Sequence, residues 1–174
     1  MENDQKQLLL ADICEKFPYG LKVEFEEKGD SYTEPITALF YYREDGIRVA
    51  PRLHDSLPFE SVKPYLRSLM ELSETEIMDL MKIRFGENDD RVANFDHFNR
   101  IGRYHGHLVV DFTVNVEDED GDLHKYSTIV DFGKHSNHQS DSELQYFNEN
   151  KIDWRGLIGK GIALQAPKGM YLTI

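Results

Sequence analysis

Residues 108–132, LVVDFTVNVEDEDGDLHKYSTIVDF, decide the fold. Leu108, Val110, Phe112, Val114 and Val116 alternate with Val109, Asp111, Thr113 and Asn115. After an acidic turn, Tyr126, Thr128, Val130 and Phe132 resume the same alternation. A period of two places each set on one face of a strand. Asp120 and Gly121, lying between the two runs, suit a hairpin turn because both tolerate positive φ. The expected structure is therefore an antiparallel hairpin with one apolar face that other elements must cover.

Upstream, a helix starts at Asn3 or Asp4 and presents Leu9, Leu10, Ile13, Cys14 and Phe17 at helical spacing, until Pro18 and Gly20 end it. Leu21, Val23 and Phe25 then alternate with charged residues, which predicts a half-buried strand. Lys28, Gly29 and Asp30 form a turn, residues 36–42 a second strand, and Ile47, Val49 and Leu53 a third, whose Pro51 argues for an edge position. Residues 58–70 read as a connector with short helical turns around Pro64. Ser73 and Glu76 form a capping box, Leu72 and Ile77 a hydrophobic staple, and Ile77, Leu80, Met81 and Phe85 a buried helical face ended by a left-handed Gly86. Between 87 and 107 no period emerges, and Phe95, Phe98 and Ile101 suit either a helix or a strand. Ser140 and Glu143 offer a cap for a helix carrying Leu144 and Phe147. Asp153 caps a last turn, in which Trp154, Leu157 and Ile158 share a face before Gly159 or Gly161.

These elements predict an α+β fold: antiparallel strands, as an N-terminal meander and a later β-hairpin, packed with three or four short helices. The 174 residues suit a single domain, 1–174, with two sub-lobes divided near 58–86 as the alternative. A hydrophobic fraction of 40%, with ten Phe and nine Tyr, describes a globular chain rather than a disordered one. No apolar run approaches the length of a membrane span, and the N-terminus lacks the pattern of a secretory signal. With Cys14 as the sole cysteine there is no internal disulfide, which agrees with a cytoplasmic location, and its place among helical core positions predicts burial. The net charge of −12 argues against direct binding to nucleic acid or anionic lipid.

Several constellations bear on chemistry. His105 and His107 share a face if on a strand, and with His135 and His138 they form a metal-binding group in the reading of the chain as a metal-dependent enzyme. No HExxH motif, cysteine pair, GxSxG elbow or phosphate loop accompanies them. Asp111, Glu117, Asp118, Asp120 and Asp122 define another reading, an acidic mimic of nucleic acid. Aligning Gly121 with the glycine of a calcium loop puts Val116 at the first ligand position, so that motif fails. Lys63, Tyr65 and Arg67 make a small basic and aromatic patch, and Trp154 with Arg155 brings together residue types common at interface hot spots. Trp154 reads chiefly as an intramolecular anchor. No cofactor is implied.

Residues 152–171, IDWRGLIGKGIALQAPKGMY, resemble the ending of a group of small proteins encoded by phages, prophages and other mobile elements of gut bacteria. Residues 62–67, VKPYLR, leading into Ser73, Glu74, Thr75 and Glu76, are similar to a second segment of that group. Together the two segments cover about a quarter of the chain. The resemblance implies an intracellular accessory protein and carries over no catalytic residue. The resulting expectation is a non-enzymatic protein-interaction module, its protein partner contacted through Tyr65, Arg67, Trp154 and Arg155.

Overall fold

The structure is a computed structural model that describes residues 1–43, 46–52, 55–104, 107–132 and 141–171. In chain order its elements are helix α1 (Asn3–Lys16), strands β1 (Lys22–Glu27), β2 (Asp30–Pro35), β3 (Ala38–Tyr42), β4 (Gly46–Arg52), β5 (Asp55–Pro58) and β6 (Lys63–Leu66), helices α2 (Glu74–Phe85) and α3 (Asp90–Ala93), strands β7 (Phe95–Tyr104), β8 (His107–Glu117) and β9 (Leu123–Asp131), helix α4 (Asp141–Glu149) and strand β10 (Leu164–Gln165). The fold is α+β, with sheets that are mainly antiparallel. The chain divides into two compact units: Met1–Ser68 with Phe147–Ile174, and Leu69–Tyr146.

In the first unit, α1 is capped by Glu2 rather than Asn3 or Asp4. Gln5 Oε1 accepts the Glu2 amide at 3.1 Å, closing a capping box. Its buried face is Leu9, Asp12, Ile13 and Lys16, at the i, i+3, i+4, i+7 spacing. Cys14, expected to be buried, is exposed because that face is rotated toward two charged residues.

The N-terminal strands form two sheets, not one meander. Lys28 and Gly29 both take positive φ (54° and 90°), the geometry of a tight hairpin turn, which folds β2 back onto β1. Strand β2 carries no alternation of its own, because its sequence, DSYTEP, is mostly polar and mostly exposed. Its register is set by the turn. Strands β3, β4 and β5 make a separate antiparallel meander with β4 in the centre. Pro51 therefore does not mark an edge. It lies in a register irregularity between Val49 and Arg52, where a bulge spares the ladder hydrogen bond that proline cannot donate. Leu53 lies outside the described residues.

The expected short helical turns form at Phe59–Ser61 and Leu69–Glu71, on either side of Pro64, but between them Lys63–Leu66 is a strand inside the other sheet, whose order is β10-β6-β1-β2. β6 pairs antiparallel with β1 and parallel with β10. Consequently residues 62–67 and 152–171, read separately in the sequence, lie side by side. The Arg67 amide donates to the Lys151 carbonyl (2.9 Å), the Asp153 amide to the Arg67 carbonyl (2.9 Å), and the Ala166 amide to the Leu66 carbonyl (2.8 Å). Tyr171 completes the seam, its hydroxyl donating to the Tyr65 carbonyl (2.8 Å) and accepting from the Lys22 amide (3.1 Å). Burial pushes its phenol well above the ordinary range. A single apolar cluster joins α1 (Leu9, Ile13), both sheets (Phe25, Val49) and the C-terminal segment (Leu157, Ala163).

The second unit contains the hairpin of residues 108–132, which forms in the expected register, with Val110 opposite Val130 and Phe112 opposite Thr128. Leu108, Val110, Phe112, Val130 and Phe132 are buried, whereas Val116 and Tyr126 at the far end are exposed. Strand β7 adds a third member. Two register shifts, between Phe95 and His97 and between Phe98 and Arg100, erase the two-residue period that would have revealed it. The capping box of α2 is as expected: the Ser73 amide donates to Glu76 Oε2 (2.9 Å), and Ser73 Oγ accepts the Glu76 amide (3.3 Å). Gly86 ends α2 at φ 93°, ψ 153°, a positive-φ extended conformation rather than the left-handed helical one. Glu143, read in the sequence as a capping partner of Ser140, belongs to α4. It is buried and takes both ends of the Arg84 guanidinium (2.5 and 3.2 Å), while Arg84 also donates to the Asp131 carbonyl (2.6 Å). Ser140 lies outside the described residues.

Tyr171→Phe would leave a half-buried carbonyl and amide without their shared partner. The expected loss is about 1–3 kcal/mol of stability, read as a lower urea midpoint with an unchanged slope.

Candidate functional site

The C-terminal segment returns to α1 through charge. Asp12 and Lys16, one helical turn apart, are both 0% exposed, and Lys16 Nζ is in direct ion-pair contact with Asp12 Oδ1. Asn148 Oδ1 accepts from Lys16 Nζ at 3.4 Å. From the other side, Arg155 donates to Asp12 Oδ1 (3.1 Å) and pairs with Glu15, and its guanidinium stacks over the Trp154 ring at 4.0 Å. The two cations and two carboxylates sum to zero, which is the condition for holding them away from water.

Why Arg155 points there follows from the local sequence. Asp153, itself buried, accepts the Leu157 amide (2.6 Å) and the Ile158 amide (2.9 Å), winding the expected capped turn. That turn buries Leu157 and aims Arg155 at α1. Lys160 Nζ then donates to the Arg155 carbonyl at 2.7 Å.

Burial acts on each ionisable group. It pushes the Asp12 carboxyl up, against the pull of Lys16 and Arg155, and pushes the Lys16 ammonium down, against the pull of Asp12. Burial also works to raise Glu15, but the hydrogen bond and charge of Arg155, with help from Lys16 and Asn148, hold its carboxyl below the usual range. Partial burial and the neighbouring Glu15 push the Cys14 thiol up, so its exposure does not make it a reactive thiolate. Two buried polar atoms of this region, Asp12 Oδ2 and Trp154 Nε1, have no hydrogen-bond partner among the described residues. The arrangement fastens α1 to the C-terminal segment. Its donors and acceptors are turned mainly on one another rather than toward a reacting group.

Of the four expected contact residues, Trp154 and Arg155 belong to this network, and the Arg155 side chain is only 12% exposed. Tyr65 and Arg67 are half-buried at alternate positions along β6 and its end, on the same side of the strand as Lys63. Tyr65 Oη donates to Glu24 Oε2 at 2.8 Å. The expected patch thus exists as a strand face, not as a loop. His105, His135, His138 and the side chain of His107 lie outside the described residues. Among the described residues no group of three or more His, Cys, Asp or Glu is placed to hold a metal.

Sequence reasoning missed Asp12 and Lys16, which look like the solvent side of an amphipathic helix. The available signal was their i, i+4 spacing in phase with Leu9 and Ile13. The acidic residues proposed to imitate phosphates also have local duties. Asp118 Oδ1 accepts the Asp120 (3.0 Å) and Asp122 (2.9 Å) amides and its Oδ2 meets His124 Nε2 (2.7 Å), while Asp111 accepts from Asn99 (3.0 Å) and Ser127 (2.7 Å).

Lys16→Met should cost about 3–5 kcal/mol in urea titrations, because it strands buried Asp12 beside one cation instead of two. Trp154→Ala should destabilise more than Trp154→Phe, which keeps a ring under Arg155 and removes the unpartnered donor. At the hairpin tip, His124 first, then the Asp122, Asp120 and Gly121 amides, hold the Asp118 carboxyl below its ordinary 3.8. A depressed folded-state value means that the tip's stabilisation is complete above the unfolded value and is lost as pH falls through the folded one. NMR should therefore show the Asp120 and Asp122 amides shifting together with the Asp118 carboxyl, below pH 3.8. In comparisons with known proteins, no family model, no curated protein and no solved structure matches this chain.

Proposed function

We propose that this chain is a non-enzymatic protein-interaction module whose partner adds an extended segment to the outer edge of β3, which has no strand partner among the described residues. The observation that carries this reading is the run Phe40, Tyr41, Tyr42 on that edge strand, with Tyr41 78% exposed and the other two also exposed. Tyr41 lies on the face opposite its two neighbours. Phe40 and Tyr42 stand together, ring centroids 6.2 Å apart, with Arg48 of β4 6.0 Å from the Tyr42 ring. Tyr and Arg are the residue types that most often anchor interfaces, and an edge strand supplies the backbone hydrogen bonds that a partner strand needs.

This reading moves the contact surface away from Trp154 and Arg155, which serve as framework, and leaves Tyr65 and Arg67 as secondary contacts. The resemblance of residues 62–67 and 152–171 to mobile-element proteins supports an accessory role in a bacterium or its phage. The net charge of −12 and the absence of a helix long and apolar enough to cross a membrane among the described residues agree with a partner that is neither nucleic acid nor a bilayer.

A photo-crosslinking amino acid in place of Tyr41 should trap one protein in the native host. The purified partner should then bind the unmodified chain, and Tyr41→Ser with Phe40→Ser should weaken that binding at least tenfold without changing the urea midpoint by more than about 1 kcal/mol equivalent. Equal binding by the double variant would remove β3 as the docking edge.

A further inference from the structure

We propose that β9 is the seam of a homodimer, pairing antiparallel with β9 of a second copy about a two-fold axis at Tyr126. This inference does not depend on the β3 reading. Strand β9 is the outer strand of the sheet β7-β8-β9 and pairs with β8 over nine consecutive positions without a register shift. Its other edge has no strand partner among the described residues. Edges of this length are usually blunted by proline, a bulge or several charges. Here Leu123, Tyr126 and Ile129 are 72%, 54% and 68% exposed, and Lys125 is the only lysine or arginine in the strand.

The backbone dictates which registers are open. The Phe132 amide donates to the Leu108 carbonyl (2.7 Å) and, at the other end of the hairpin, the Asp118 amide to the Asp122 carbonyl (3.0 Å). Both pairs are even-numbered and in the one continuous register, so even-numbered residues of β9 direct N–H and C=O toward β8. Leu123, Lys125, Ser127 and Ile129 therefore direct theirs to the free edge. A second copy must pair odd with odd. Three symmetric registers allow this within one residue of the strand's centre, about residues 126, 127 and 128; about residue 128 Lys125 would face Asp131 and Ser127 would face Ile129, with Leu123 left outside the pairing.

Side chains choose between them. About residue 127, Leu123 would face Asp131 and Lys125 would face Ile129. About residue 126, Leu123 of each copy faces Ile129 of the other, Lys125 faces Ser127, and Tyr126 meets its own copy on the opposite face. The three most exposed apolar side chains of the strand are then covered at once. Charge permits the contact: β9 carries one Lys and one Asp in a chain whose net charge is −12. Lys125, diagonal to its own copy in this register, is already paired with Asp96 at 2.7 Å. A single strand pair buries less than the ~1,200–2,000 Å² of a standard stable interface, so the dimer is expected to be weak, with a Kd on the order of micromolar.

Sedimentation equilibrium of the full chain, at concentrations from on the order of one to several hundred micromolar, should show the mass rising from 20.3 kDa toward twice that value. Leu123→Lys with Ile129→Lys, both at exposed positions, should weaken association at least tenfold with an unchanged circular dichroism spectrum. Crosslinking reports the register independently. In a Cys14→Ser background, Tyr126→Cys should oxidise readily to a covalent dimer, since a residue facing itself in a non-hydrogen-bonded pair has disulfide-compatible spacing. Ser127→Cys should crosslink at least tenfold more slowly. A monomer at every concentration, a dimer indifferent to the double lysine variant, or faster crosslinking through residue 127 would each overturn the proposal. None of these results would bear on β3.

Discussion

The first unit depends on the neutralised charge cluster between α1 and the C-terminal turn. Buried Asp12 is held by Lys16 on its own helix and by Arg155 from residues nearly a full chain length away. Taking such groups out of water costs several kcal/mol per ion, and the cost is offset only when every charge has its counter-charge in place. Few arrangements satisfy that condition. The cluster thereby specifies how the C-terminal segment lies against α1 more than it stabilises the fold. An apolar contact of the same area would tolerate sliding, whereas a guanidinium shared by two carboxylates does not.

With Arg155 placed, the rest of the segment follows. Asp153 winds its turn, Leu157 enters the apolar cluster, and the chain runs on to pair β10 with β6. Tyr171 then bridges the Tyr65 carbonyl and the Lys22 amide, so that the last described residue closes a sheet begun by β1. Residues 62–67 and 152–171 are thus neighbours in one seam, and a change in either alters the hydrogen bonding of both. The second unit has its own fastening of the same chemical kind, with Arg84 held by Glu143 and the Asp131 carbonyl and lying 4.5 Å from the centre of the Phe132 ring.

Asp12, Lys16 and Arg155 face inward, and the surfaces proposed for recognition lie on strand edges instead. β3 and β9 both present aromatic or aliphatic side chains beside an edge that has no strand partner among the described residues, which is the combination used in strand addition. Their difference lies in symmetry. The proposed β9 contact is self-complementary, whereas the proposed β3 contact, with Arg48 beside an aromatic pair, takes a different chain.

By itself the sequence determined those elements whose signals are local. The β8–β9 hairpin was legible in its unbroken alternation, α2 in Ser73 and Glu76, and the terminal turn in Asp153, because strand period, capping and turn chemistry act within a few residues. Tertiary structure decided the rest. β7 is hidden by two bulges, β2 by its polar composition, and β6 by Pro64 and its shortness, since each is held as a strand by a partner rather than by its own pattern. The same holds for the site. Asp12 and Lys16 are ordinary surface residues until Arg155 arrives, because the burial of a charge is settled by the distant group that neutralises it.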